Sequence, residues 1–191
     1  MKATITSLIF LLLSLTVSSQ TYKYIGIEEG LSNQKIYKIQ KDARGYMWFL
    51  THVGIDQYNG KEIKHYKLRE GNRELDPLLN INWTFLDKTG TLLVTGKQGR
   101  IFRYDSGHDR FVQIYNMYNY WNKDYHAFVR YSYIDQEDNV WLCGKSAIHL
   151  FNIESGQKQQ ISNRLGNITC IEQINSEHFF IGTDKRIYLA K

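Results

Sequence analysis

A run of aromatic and polar side chains lies between Tyr115 and His126. It reads Tyr-Asn-Met-Tyr-Asn-Tyr-Trp-Asn-Lys-Asp-Tyr-His. Tyrosine and tryptophan offer flat apolar faces with a polar edge, while asparagine and aspartate offer hydrogen-bonding groups on short side chains. Sugars present CH faces and hydroxyls, so this mixture suits an oligosaccharide ligand. The alternative is that these aromatic rings pack against a neighbouring part of the fold. The residues predicted to form part of a glycan contact surface are Tyr118, Tyr120, Trp121, Asp124 and Tyr125.

Other residue patterns that could support chemistry are weak. The six histidines are scattered, without a metal-ligand spacing such as His-Glu-x-x-His, so the sequence predicts neither a metal site nor a cofactor. Cys143 and Cys170 do not form a Cys-x-x-Cys motif. We predict that both are buried free thiols, with a disulfide as the alternative. Neither a Gly-x-Ser-x-Gly motif nor a phosphate loop occurs, and no catalytic residue is predicted.

An internal repeat determines the elements that must position these residues. Its first copy, Asp42–Tyr58, has a turn signal, an apolar run, a polar break and a second run ending in tyrosine. Similar copies begin at Asp87 and Asp135, and a weaker one begins at Asn175. A period of about 40–50 residues with four short strands per unit is typical of a propeller blade. The markers of the four copies lie 45, 48 and 39 residues apart, at Trp48, Leu93, Trp141 and Phe180.

The predicted fold class is therefore all-β, a β-propeller of about four four-stranded blades. The last copy supplies three strands, and Tyr22–Ile27 is predicted as a further strand that could complete it in a closed four-bladed ring. We favour instead a partial arc of a larger propeller, with the chain as its N-terminal piece. In such a blade, the outer-to-inner loops share one face with the second-to-third loops, and the repeat aspartates lie on the opposite face.

The N-terminal segment has the features of an export signal. Residues 1–19 combine a positive start, a short apolar run and small residues at a cleavage site, which predicts a secretory signal peptide followed by propeller repeats over 20–191. An uncleaved anchor is the alternative. No membrane span is predicted in the mature chain, which should be periplasmic. The formal net charge of +5 is spread along the chain, so nucleic acid is not a predicted partner.

The first repeat resembles the two-component regulator propeller repeat. The stretch from Gly30 to Tyr58 contains Gly-Leu-Ser-Asn, then Ile-Tyr, then Asp-x-x-Gly-x-x-Trp and finally Gly-Ile-Asp-Gln-Tyr. The third repeat departs from this pattern at the turn glycine, where Asp138 stands. Aspartate tolerates a left-handed backbone better than most residues, so this departure does not alter the expected fold.

The resemblance implies a sensing function. In that family such repeats build the periplasmic sensor of hybrid two-component regulators, often as two seven-bladed rings, and many members respond to oligosaccharides released from complex glycans. The chain would then be the N-terminal part of an extracytoplasmic ligand-sensing propeller, dependent on the remainder of the sensor and unable to signal alone. The alternatives are a stand-alone interaction module or the remnant of a truncated gene.

A propeller glycan hydrolase or lyase has less support. Sialidase-type propellers carry a box in which glycine follows aspartate by two residues, whereas Gly45 follows Asp42 by three. Glycoside hydrolysis also needs paired carboxylates at the site. We predict that the chain is not an enzyme.

Overall fold

The computed structural model describes residues 21–120 and 128–191, and the predicted signal peptide, residues 1–19, lies outside them. Four antiparallel sheets follow one another along the chain as the blades of a β-propeller. Blade 1 contains β1 (Ile36–Lys41), β2 (Met47–Thr51), β3 (Ile55–Tyr58) and β4 (Ile63–Tyr66). Blade 2 contains β7 (Trp83–Leu86), β8 (Leu92–Thr95), β9 (Arg100–Asp105) and β10 (Arg110–Asn116). Blade 3 contains β11 (Tyr131–Ile134), β12 (Asn139–Cys143), β13 (Ala147–Asn152) and β14 (Lys158–Ser162). Blade 4 contains β15 (Ile168–Gln173), β16 (Phe179–Thr183) and β17 (Ile187–Ala190).

The connector between blades 1 and 2 has structure of its own. A short hairpin, β5 (Arg69–Glu70) and β6 (Arg73–Glu74), precedes a one-turn helix, α1 (Pro77–Asn80). Neither was predicted from the sequence, although Pro77 suits the first turn of a helix. A second short turn, of the 3-10 type, spans Met117–Asn119 after blade 2. The predicted strand Tyr22–Ile27 is wrong, because this stretch pairs with no strand in the described part of the chain.

Each repeat aspartate organises the turn between the first two strands of its blade. In blade 1, Oδ1 of Asp42 accepts the backbone N–H groups of Arg44 and Tyr46, both at 2.9 Å, and Oδ2 accepts the indole N–H of Trp48 at 2.8 Å. Asp135 makes the same bond to the Trp141 indole in blade 3, at 2.9 Å. The spacing of aspartate and tryptophan is thus explained by a buried hydrogen bond within one hairpin.

Blade 2 keeps the aspartate but lacks the tryptophan. Leu93 occupies the marker position and pairs across the sheet with Arg103. The Arg103 side chain donates from Nε to Oδ2 of Asp87 at 2.9 Å, so a guanidinium on the third strand replaces the missing indole donor. The Asp87 carboxylate therefore keeps a side-chain donor, although this donor is an arginine and not the tryptophan of blades 1 and 3.

Three hydrophobic clusters join the blades in series. The first contains Trp48 and Phe102 between blades 1 and 2, the second contains Leu93 and Leu142 between blades 2 and 3, and the third contains Ile181 between blades 3 and 4. Each blade therefore buries the apolar face of its predecessor. On the far side of blade 4, by contrast, the apolar side chains of Phe180, Ile187 and Leu189 are exposed.

Hydrogen bonds donated by backbone N–H groups of the hairpin turns also join successive blades. The N–H of Ala43 donates to the carbonyl of Gly90 at 3.1 Å, and the N–H of Lys88 donates to the Asp138 carboxylate at 3.0 Å. The corresponding N–H of Gln136 donates to the side chain of Gln173 at 2.7 Å. The same turn position thus contacts the next blade three times, with a different acceptor each time.

Asp138 has the positive φ expected at the glycine position of the turn, 61°. Burial raises the pKa of its carboxyl above the usual value, and the hydrogen bond from Lys88 offsets only part of that effect. Because the folded state holds this proton more tightly than the unfolded chain does, the contribution of Asp138 to stability falls as pH rises above the usual carboxyl range.

Replacing Asp138 by asparagine is therefore expected to raise the free energy of unfolding at pH 7. Asparagine also tolerates a positive φ and keeps an oxygen for the Lys88 N–H. The gain should disappear at pH 3, where the carboxyl is protonated in both states. Urea unfolding at the two pH values measures this, with the exposed Glu28→Gln as the control. Lower stability of Asp138→Asn at pH 7 would contradict the assignment.

The two cysteines are both free thiols, in different environments. Cys143 is buried in blade 3, and burial raises the pKa of its thiol to about 12. Cys170 is exposed in blade 4, so the prediction of two buried thiols is wrong for this residue, whose side chain lies on the open face of the last sheet. Across residues 21–120 and 128–191, no helix is long and apolar enough to cross a membrane.

Candidate functional site

Two sets of loops meet on one face of the propeller, which we call the loop face. The N–H of His52 donates to the carbonyl of Lys35 at 3.2 Å, and the N–H of Gln98 donates to the carbonyl of Leu79 at 3.3 Å. In blade 3, the N–H of Asn163 likewise donates to the backbone carbonyl of Ser146 at 2.8 Å. Second-to-third loops therefore contact the outer-to-inner loops beside them, as predicted.

A cleft of about 310 Å³ opens on the loop face between blades 1 and 2. We call it the loop-face cleft. Blade 1 contributes its innermost strand and the loop after β2, the connector contributes α1, and blade 2 contributes the loop after β8. The lining residues are Tyr37, Thr51, His52, Pro77, Leu78, Ile81, Asn82 and Lys97.

Local structure fixes the walls of this cleft. The hydroxyl of Tyr37 lies 2.6 Å from Nδ1 of His52, and the two rings lie 6.1 Å apart. On the opposite wall, the carboxylate of Asp76 accepts the N–H of Leu78 at 2.9 Å and so caps α1. A capped turn with proline at its start has few alternative conformations, so it holds Leu78 at the mouth of the cleft.

The chemistry of the cleft is mixed. Tyr37 and Leu78 are 47% and 45% exposed, so both present apolar surface to solvent. Asn82 and Lys97 add an amide and an ammonium group on the blade 2 side. Exposed ring surface beside several polar groups is typical of sites that bind small polar ligands. Within the described residues, no group of three His, Cys, Asp or Glu side chains could hold a metal ion.

Of the residues predicted as a glycan surface, the structure describes Tyr118 and Tyr120, and neither lines the loop-face cleft. Tyr118 is partly buried and packs against the cluster between blades 2 and 3. Tyr120 is 54% exposed, its ring stacks on Tyr115 at 5.6 Å, and Nζ of Lys158 lies 4.0 Å from its centre. The other three predicted residues, Trp121, Asp124 and Tyr125, lie outside the described residues.

The residues that line the cleft were not among those predicted from the sequence to contact a ligand. Tyr37 and His52 both lie in the stretch from Gly30 to Tyr58 that resembles the propeller repeat, but neither was predicted to bind a ligand. The signal that could have found them is position, because Tyr37 lies on the innermost strand and His52 follows the second strand of the same blade. Leu78 could not have been found this way, because α1 has no equivalent in the other repeats.

A buried aspartate in blade 1 brings serine and histidine together, but not as a nucleophile with its base. Oδ2 of Asp56 accepts the N–H and hydroxyl of Ser32 at 2.8 and 2.9 Å, while Oδ1 lies 2.8 Å from Nδ1 of His65. Catalysis by a serine hydroxyl requires histidine to lie between serine and aspartate. Here aspartate is in the middle, so the arrangement ties the Gly-Leu-Ser-Asn loop to the blade.

Comparisons with known proteins agree with the repeat and the fold. Residues 30–52 match the family model described as two component regulator propeller. The extracellular domain of the hybrid two component system BT4673 from B. thetaiotaomicron has a similar structure, with a TM-score of 0.70 and 15% identity over 90% of this chain and 23% of that chain. The extracellular domain of BT3049 from the same organism gives 0.66 and 17%, over 87% and 24%. No sequence among curated proteins matches the chain.

The comparisons with solved structures concern the fold. The chain spans about a quarter of the length of the two extracellular domains, and at such identities the likeness shows the fold alone. A luciferin-regenerating enzyme is also similar, with a TM-score of 0.52 and 12% identity over 83% of this chain and 57% of that one, so the architecture also occurs in an enzyme. The chain is a β-propeller whose residues 30–52 match the two component regulator propeller model, and it shares its fold with the extracellular domains of hybrid two component systems.

Proposed function

We propose that this chain is part of an extracytoplasmic ligand-sensing propeller of a two-component regulator and that its loop face recognises an oligosaccharide. The single observation that carries the proposal is that the matched repeat also builds the cleft. Tyr37, Thr51 and His52 lie within residues 30–52 and form one wall of the loop-face cleft. The part of the chain that most resembles a sensor is therefore the part that offers a ligand an opening.

The chemistry of the wall supports a saccharide. The exposed Tyr37 ring can contact the CH face of a sugar, while His52 and Lys97 can bind its hydroxyls. Nζ of Lys35 lies 5.3 Å from the centre of the Tyr37 ring and favours one ring position. We also propose a second contact surface, which contains Tyr118, Tyr120, Trp121, Asp124 and Tyr125.

The proposal extends to the context of the chain. Residues 1–19 would direct export to the periplasm, and the remainder of the sensor would carry the response, since the chain spans a quarter of the extracellular domains that it resembles. The described residues offer no catalytic constellation that would make the chain an enzyme instead. Ligand binding without turnover is thus the function that the site supports best.

Calorimetric titration of the full chain tests this proposal with neutral hexasaccharides of cellulose, xylan, mannan and starch. At least one is expected to bind, and Tyr37→Ala should weaken that binding at least tenfold because it removes the exposed ring. Tyr22→Ala, which removes a tyrosine that is 87% exposed outside the cleft, is the matched control. Trp121→Ala tests the second surface in the same assay.

The outcomes separate the two surfaces. Loss of affinity with Tyr37→Ala alone assigns the ligand to the cleft, and loss with Trp121→Ala alone assigns it to the second proposed surface. If both variants fold and bind as well as the unmodified chain, the loop face is not the recognition surface. The thermal melting temperature of each variant checks its fold.

A further inference from the structure

A larger groove runs along the rim of the propeller, where the outer strands of blades 1 and 2 approach each other. We call it the perimeter groove. Its volume is about 550 Å³, and it lies between β4 and β10 with the β5–β6 hairpin at one end. The charged residues that line it, apart from His65, are Lys64, Lys67, Arg69, Glu70, Asp109 and Arg110.

One acidic group of the groove is held by a network across the blades. Oδ1 of Asp109 accepts the hydroxyls of Tyr66, from blade 1, and Tyr104, from blade 2, at 2.5 and 2.7 Å. Its other oxygen pairs with Lys64 of blade 1. Asp109 adopts a positive φ of 51°, an uncommon conformation that these three contacts support. The network fixes the spacing of the two outer strands, so the groove is preformed.

The remaining charges leave an excess of cations. Glu70 pairs with Arg73 at 2.6 Å and with the more buried Arg100 at 3.5 Å. Lys67 pairs with a carboxylate outside the groove, that of Glu74, at 2.8 Å. Among residues 21–120 and 128–191, no carboxylate pairs with Arg69 or Arg110, which are both exposed. Two guanidinium groups of the groove lining, one from the connector hairpin and one from blade 2, thus have no carboxylate partner among the described residues.

The lining points to a ligand that carries both anionic groups and hydroxyls. Guanidinium binds carboxylate or sulfate through two parallel hydrogen bonds. Asp109 and Glu70 would repel a ligand that offers only negative charge, but each can accept hydrogen bonds from hydroxyls. Gln113 lies in the lining with a buried Oε1 that has no hydrogen-bond partner in the protein. A sugar acid meets these requirements together.

Other partners fit less well. A membrane surface would need protruding apolar side chains, and none of the exposed large hydrophobic residues lines the groove. Single-stranded nucleic acid would need exposed rings for base stacking, whereas Tyr66 is 7% exposed and Phe111 is partly buried. An acidic peptide could pair with the free edge of β10, but the groove offers no apolar pocket for alternate side chains.

We propose that the perimeter groove binds an acidic oligosaccharide whose carboxylate or sulfate groups pair with Arg69 and Arg110. This site is separate from the loop-face cleft, because the two share no lining residue. The inference therefore stands or falls independently of the proposed function.

Titration of the full chain with oligogalacturonate, a sulfated neutral hexasaccharide, its unsulfated parent and hexaglutamate tests the proposal at fixed ionic strength. The double variant Arg69→Gln/Arg110→Gln should weaken binding of the preferred acidic sugar at least tenfold. The matched control is Arg164→Gln/Arg186→Gln, which removes the same charge from exposed arginines of blades 3 and 4 and should change affinity less than threefold.

Each possible result of this titration either supports or overturns the proposed site. Binding of the uronate or of the sulfated sugar that depends on Arg69 and Arg110 supports the site and identifies the anionic group. Equal losses in both double variants would show attraction by net charge only and overturn the proposal. Equal or tighter binding of hexaglutamate would assign the groove to an acidic peptide, and absence of binding to both acidic sugars also overturns it. Tyr37→Ala should leave this binding unchanged.

Discussion

Replacing Trp48 by alanine is expected to lower the free energy of unfolding by about 3–5 kcal/mol. The indole is completely buried between blades 1 and 2. Its ring lies 5.4 Å from Tyr66, 4.8 Å from Tyr104 and 5.7 Å from Phe111, so alanine would leave a large cavity among three aromatic rings. The change also removes the indole N–H that donates to Asp42, a hydrogen bond within the buried turn.

Two controls separate these contributions. Trp48→Phe keeps most of the ring and loses the hydrogen bond, so it should cost about 1–2 kcal/mol. Phe180→Ala removes a similar side chain that is 49% exposed and should cost less than about 1 kcal/mol. Urea unfolding followed by far-UV circular dichroism measures all three. If Trp48→Ala cost no more than Phe180→Ala, the packing of blade 1 on blade 2 would be wrongly described.

Replacing Arg103 by leucine is expected to cost about 2–3 kcal/mol, the second largest effect. The Asp87 side chain is 1% exposed, and Arg103 lies 2.7 Å from its Oδ2. Without the guanidinium, a buried carboxylate keeps only its partners in the turn, among them the N–H groups of Thr89 and Thr91. Since the Arg103 side chain is 38% exposed, solvent screens part of the interaction and the cost stays below that of a fully buried pair.

The same unfolding assay tests this prediction with variants of graded chemistry. Arg103→Lys keeps the charge but not the planar donor group, so it should recover about half of the loss. Arg164→Leu removes an exposed arginine of blade 3 and should change stability by less than about 0.5 kcal/mol. Equal stability of Arg103→Leu and the unmodified protein would contradict the view that arginine replaces the tryptophan donor in blade 2.

The substitutions at Trp48 and Arg103 remove two hydrogen bonds, of which only the first could be predicted from the sequence. The bond between Trp48 and Asp42 joins residues of one hairpin, and the repeat preserves their spacing, so the sequence indicates it. The bond between Arg103 and Asp87 spans two strands and occurs in one blade. Only strand register shows that Arg103 lies opposite Leu93, and register depends on the turn lengths and packing of the whole sheet.

The candidate sites, too, were predicted in part from the sequence and in part found only in the structure. The sequence identified loops that share one face, and it marked an aromatic stretch, Tyr115–His126, from composition alone. The structure shows that Tyr118 and Tyr120 pack beside blade 3, whereas the loop-face cleft is lined by Tyr37, His52 and the helix that begins at Pro77. Composition cannot predict which exposed rings face an opening, because an opening is the space between two blades.

The sequence by itself determined the all-β class, the strands of the four blades with their order, and the turn aspartates, because these depend on interactions within about twenty residues that each repeat encodes again. The tertiary structure alone decided which residues meet between blades, and that two exposed arginines, Arg69 and Arg110, line the same perimeter groove. Those contacts join residues about 40 positions apart, and their partners are set by how one twisted sheet packs on the next rather than by any local pattern.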